Sequence, residues 1–151
     1  MEDEDLVPLI FKNAEDIDQI LNDPDESLVY FGMLNHGLAT KRFLFLDYKG
    51  EEGQEIVNYI LDYEFAHDIE LGTAEELEVL GEFDYTYLPE KIREVNKLIS
   101  PKGYGLFTYP TTGDFYALFI AELEHNHAFS QVDLLGDEDI PERERYIQLY
   151  I

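Results

Sequence analysis

"YGLFTYPTTGDFYALFIAE", residues 104 to 122, decides how this chain is read. Residues 104–109 and 114–122 are rich in aromatic and branched side chains, which suit a pleated, half-buried surface. The intervening "PTTG" supplies the turn-formers Pro110 and Gly113. The stretch therefore predicts two strands joined as a β-hairpin.

Around the hairpin the periodicity changes to that of helices. Before it, "LPEKIREVNKLIS" sets Ile92, Val95, Leu98 and Ile99 at helical spacing behind Pro89 in the first turn. "GTAEELEVLGEF" carries Thr73 and Glu76 at the two positions of a capping box. In residues 51–68, Ile56, Val57, Ile60, Leu61 and Phe65 form a further helical stripe. "KRFLFLDY", residues 41–48, holds the compact run Phe43 to Leu46, which predicts a strand covered on both faces. Near the N-terminus, Ile10, Ala14, Ile17 and Leu21 predict one helix over 6–21, ended by "NDPD". A second helix is expected to be capped by Asp25 and stopped by Gly37. After the hairpin, Asn126 and Gly136 bracket a short helix, and alternation in "RYIQLYI" predicts a closing strand. The expected fold class is α+β (or α/β). It is a single domain over 1–151, with helices on a mixed sheet of about four to five strands.

Charge bounds the function. Asp and Glu total 34 against 10 Lys and Arg, a formal net charge of −24. From Gly50 through Glu90 there is no Lys or Arg, and again none from Gly103 through Glu142. Nucleic-acid binding depends on cations that neutralise phosphates, so DNA, RNA and anionic membranes are excluded as partners. A basic protein would instead be attracted. The chain has no Cys, which removes disulfides, thiolate metal sites and cysteine nucleophiles and fits a reducing cytoplasm. No apolar run reaches the roughly 18 residues of a membrane span, and the acidic "MEDED" start is unlike a signal peptide.

Two segments carry a family resemblance. "FLFLDYKGEE", residues 43–52, is a strand with a polar tail before an acidic helix. "TTGDFYALFIAE", residues 111–122, has a glycine, an aspartate and a tyrosine opening an apolar strand. Together they resemble an uncharacterised family of small bacterial proteins, a domain of unknown function. That resemblance implies an α/β or α+β domain and carries over no activity. In size and charge, though not in motif, the chain is also similar to bacterial immunity proteins.

Several constellations are candidates for chemistry. Asp47 and Lys49 stand where a strand meets a helix, with Glu51 and Glu52 following, and Asp114 and Tyr116 open a neighbouring strand. Asp47 and Asp114 could form a carboxylate pair that holds Mg²⁺ or divides acid and base roles. Against this, Asp114 after Gly113 suits a turn, and Asp47 suits a cap. "AELEHNHAF" gathers Glu122, Glu124, His125 and His127. On a strand the two acids and the two histidines would point to opposite faces. On a helix they would split into two pairs, so no metal centre is expected. His36 and His67 fall near helix ends, where a negative helix terminus favours the protonated ring. There is no P-loop, no nucleophile elbow and no EF-hand, so no cofactor is expected. Tyr85, Tyr87, Tyr104 and Tyr109, near loops and strand ends, would suit a protein-binding face beside carboxylates. The leading expectation is a cytoplasmic, non-enzymatic module for a basic protein partner, toxin immunity being one form. A metal-assisted enzyme is the alternative. A homodimer through the hairpin or last strand is a third class.

Overall fold

A computed structural model describes residues 1–23 and 28–151. Its centre is the expected hairpin, β2 (Tyr104–Tyr109) and β3 (Phe115–Glu122). Flanking it are β1 (Leu44–Asp47) and the two-residue β4 (Gln148–Leu149), in the order β1-β3-β2-β4. Every pairing is antiparallel, where strands separated by helices had suggested a mixed sheet. The class is α+β. Because β2 and β3 are the inner strands, the hairpin does not offer the exposed edge that pairing between two copies would use.

Both faces of the hairpin are buried, which explains its unbroken apolar run. On one face Phe107, Tyr109, Ala117, Phe119 and Ala121 meet Phe11, Met33, Phe43 and Phe129. The covering elements are α1 (Asp3–Ile10), α2 (Ala14–Leu21), α3 (Val29–Ala39) and the short α7 (Asn126–Phe129). On the other face Leu46, Leu106, Leu118 and Ile120 meet Ile56, Ile60, Leu77, Ile92, Val95 and Ile99. These come from α4 (Glu55–His67), α5 (Ala74–Glu82) and α6 (Leu88–Ile99). The result is three layers, helix on sheet on helix. Asn96, wholly buried on α6, donates to Leu106 O at 3.2 Å and Tyr150 O at 2.7 Å, and accepts from Leu106 N at 2.8 Å. One side chain thereby ties α6, β2 and the segment after β4 together.

Several expectations are corrected. The single helix over 6–21 is two, because Phe11 turns extended and the Asn13 side chain caps α2 by accepting from Glu15 N at 2.8 Å. Asp25 lies outside the described residues. Gly37 does not stop α3, which continues to Ala39. Gly37 serves instead as the point where the Phe43 ring crosses the helix. A Cβ there would meet Phe43 ring atoms at 2.5 to 2.9 Å. β1 is covered on one face only, with Phe45 half exposed against Phe115 at 5.1 Å between ring centroids. The α4 stripe holds at Ile56, Val57 and Ile60, but Leu61 is exposed and Phe65 is 91% exposed. The predicted capping box is present: Thr73 N donates to Glu76 Oε1 at 2.9 Å, and Glu76 N to Thr73 Oγ1 at 3.1 Å. Among the described residues no helix is long and apolar enough to cross a membrane.

One ion-pair node joins α2 to the end of α3. Asp16 holds His36 Nε2 at 2.8 Å and Arg42 Nε at 3.0 Å. Burial raises the Asp16 pKa, but the hydrogen bonds from His36 and Arg42 and their charges outweigh it, so the net shift is downward from 3.8.

Two outcomes are expected. Gly37→Ala should lower the thermal midpoint, because overpacking of about 1–3 kcal/mol against Phe43 exceeds the helix-propensity gain of about 1 kcal/mol. A raised midpoint would show that Phe43 yields freely. For Asp16 the folded pKa is depressed, so its stabilisation is present above the unfolded value near 3.8 and lost as pH falls through the folded one. Denaturant midpoints of wild type and Asp16→Asn, clearly separated at pH 6, should therefore begin to converge only below about pH 4 and come together as pH falls through the depressed folded pKa.

Candidate functional site

The carboxylates singled out at the strand end lie close in the sheet but serve local geometry. Asp47 pairs with Phe115, and Tyr48 N donates to Asp114 O at 3.3 Å. Asp47 Oδ1 accepts from Lys49 N at 2.9 Å, an Asx turn that reverses the chain at Gly50, whose φ is +114°. Strand alternation sends Asp47 to the face of Phe45 and Phe115, whereas Tyr116 packs on the opposite face with the α4–α6 cluster. Asp47 and Tyr116 thus do not face one site. Asp47, Lys49 and Asp114 are all exposed.

Tyr116 and Asp114 do share a surface, and it is a different one from that expected. At the hairpin end, beyond the reach of the helices, a depression of about 680 Å³ opens. Its aromatic residues are Tyr48, Phe115, Tyr116 and Tyr150 with the buried Tyr109, and its carboxylates are Asp114, Asp137, Asp139 and Glu144. No Lys or Arg lines it. The Tyr150 phenol is held above its usual pKa by burial and by Tyr116, against the opposing pull of Arg143 and Arg93. Both guanidinium groups stand over its ring, at 5.8 and 5.5 Å.

The four tyrosines chosen from the sequence do not form one face. Tyr109 is 2% exposed, stacked on Tyr30 at 5.4 Å, and its hydroxyl donates to Tyr30 O at 2.9 Å. It is core, reaching only the floor of the depression at the hairpin end. Tyr104 is half buried against Tyr63, with ring centroids 6.1 Å apart. Tyr87 is exposed at the start of α6.

Tyr85 instead belongs to a buried charged cluster. Its hydroxyl donates to Glu51 Oε1 at 3.2 Å and accepts from Glu51 N at 2.9 Å. Glu51 Oε2 accepts from Ile56 N at 2.7 Å, satisfying a free donor in the first turn of α4. Lys91 lies 3.5 Å from Glu51, donates to Leu80 O and stands 5.6 Å over the Tyr85 ring. The Lys91 and Glu51 side chains are 2% and 4% exposed. Sequence reasoning missed Lys91. The available signal was its place in the apolar stripe Leu88, Ile92, Val95, where a lysine must find a buried partner.

"AELEHNHAF" folds in a way that neither simple geometry anticipates. The strand ends at Glu122 and the chain rolls into a 3₁₀ turn, Leu123–His125. That turn converges Glu122, Glu124 and His125, whose ligand atoms lie within 4.8 Å of one another. His127 is not among them. Lys12 already sits at this cluster, 3.7 Å from Glu122 and 3.5 Å from His125. Glu122 is held below the usual carboxylate range, first by its hydrogen bond with Glu124, then by Lys12 and His125 against burial. The lysine supplies the positive charge that the acids attract.

These features define the class: a small α+β domain with a four-stranded antiparallel sheet between two helical layers, and a strongly acidic surface. Within that class the chain belongs to the DUF6630 family, a domain of unknown function, whose model matches residues 3–135. No curated protein and no solved structure matches it.

Lys91→Met should destabilise the fold by about 3–5 kcal/mol, because it leaves the Glu51 carboxylate buried without a counter-charge. Adding Glu51→Gln should recover part of that loss in chemical denaturation. A double variant no more stable than the single one would refute the coupling.

Proposed function

We propose that this domain is a protein-binding module whose acidic, tyrosine-lined depression receives a cationic segment of a basic partner. The observation that carries this reading is the lining itself. Four carboxylates line a concavity together with Tyr48, Tyr116, Tyr150 and the buried Tyr109, and no Lys or Arg lines it. Carboxylates draw a cation in by long-range attraction, and tyrosine side chains give it contact area at low entropic cost. The remainder of the surface, at −24 overall, adds to the steering. Neutralisation of a basic toxin, the immunity form, would use the same depression.

Titration of ¹⁵N-labelled protein with an oligo-arginine peptide checks this. Amides of residues 112–116 and 137–140 should shift first and saturate. The double reversal Asp137→Lys with Asp139→Lys should weaken binding roughly tenfold or more, and 0.5 M salt should nearly abolish it. Shifts spread evenly over all acidic elements, α5 included, would sink the proposal.

A further inference from the structure

The sheet leaves a second concavity further along β3. β1 begins at Leu44, opposite Leu118, while β3 continues to Glu122. Phe119, Ile120 and Ala121 therefore have no β1 partner on that side. Tyr59 of α4 borders this edge, and its hydroxyl donates to Arg42 O. Beside it opens a cleft of about 380 Å³, within the usual size of small-molecule sites. Ile10, Phe11 and Phe119 line its apolar part, and Tyr63 and Ala66 of α4 also border it.

Its polar rim is unlike the rest of the protein. Lys12, Lys41 and Arg42 all line it, three of the ten Lys and Arg in a chain of charge −24. They arrive from two connections, the break between α1 and α2 and the link from α3 to β1. Two carboxylates face them. Asp16 is already bonded to His36 and Arg42, and Asp62 is exposed on α4. Glu122 takes one side of Lys12 at 3.7 Å. Lys41 holds a left-handed backbone, φ 62°, and its ammonium has no hydrogen-bond or ion-pair partner among the described residues. His67, at the end of α4, also lines the cleft. Its helix terminus was expected to favour protonation. Instead its pKa falls below 6.5, through burial first and then through Arg42 and Lys12. The positive field of the rim thus reaches into the cleft.

We infer that this cleft binds a small organic anion, with its apolar body against Phe11 and Phe119 and its acid group among Lys12, Lys41 and Arg42. An apolar floor beside converging cations selects for an amphipathic acid over either a free inorganic ion or a neutral ring. Carboxylate and phosphate esters share this chemistry.

Calorimetric and NMR titrations with phenylacetate, phenyl phosphate, 2-phenylethanol and phenethylamine test it, with the His67 ring signals as the local reporter. At least one of the two anions should bind and shift the His67 signals, with the His67 pKa rising as negative charge arrives. The stronger of the two identifies the acid group. The alcohol should bind at least about tenfold more weakly, and the amine not measurably. Lys41→Gln, an exposed change, should weaken anion binding several-fold with the circular dichroism unchanged, and Asp62→Asn should strengthen it. Equal binding of acid and alcohol, an unaltered affinity in Lys41→Gln, or anions that leave His67 unmoved would each overturn the assignment.

Discussion

The structure depends on burying the β2–β3 hairpin on both faces. A sheet with one apolar face needs a single cover, but Phe107, Phe119 and Tyr109 point one way while Leu106, Leu118 and Ile120 point the other. Two covers are then required, and the chain supplies one on either side of β1 in sequence. Among the described residues three α-helices precede β1 and three follow it before the hairpin. The hairpin must occupy the middle of the sheet, because only inner strands have neighbours to pair with along both edges. β1 and β4 are consequently short, and their shortness exposes parts of β3 and β2 that side chains must finish. Asn96 does this for β2, its side-chain amide donating to Leu106 O and accepting from Leu106 N.

The same architecture governs where charge can sit. With 34 acids and 10 bases, most carboxylates have no partner and must face water. The cations are therefore informative wherever they are withdrawn from the surface. Lys91 is spent in the core on Glu51, where it links the entry of α4 to the end of α5. Lys12, Lys41 and Arg42 gather at one cleft. The opposite extreme is the depression at the hairpin turn, lined by four carboxylates and by no Lys or Arg, with Lys49, Arg93 and Arg143 held against the rings of Tyr48 and Tyr150. A protein of nearly uniform sign thus carries two concavities of contrasting electrostatic character, at different stretches of one strand.

Much of the fold was legible in short-range pattern. The hairpin, the Thr73–Glu76 capping box, the helix behind Pro89 and the core of α4 all follow from periodicity and local capping, which depend on neighbours within a few positions. The break at residues 11–13 was less legible, because Ile10, Ala14 and Ile17 keep helical spacing across it and only Asn13 marks the new start. Gly37 misled for a related reason: a glycine that makes room for an aromatic ring looks the same in sequence as one that ends a helix. The candidate sites were less legible still. Asp114 and Tyr116 stood out in the sequence, but the residues that share their depression, Asp137, Asp139, Glu144 and Tyr150, lie more than twenty positions away.

By itself, then, the sequence determined a single domain of helices packed on a sheet, α+β or α/β, together with the hairpin, the excess of negative charge and the absence of cysteine chemistry. These are properties of composition and of contacts within a few residues. The tertiary structure alone decided the strand order, the burial of Tyr109, the partnership of Lys91 with Glu51, and the turn that brings Glu122, Glu124 and His125 together. Each of these depends on which distant segments meet. That is set by the global requirement to cover both faces of one hairpin, which no local window of sequence contains.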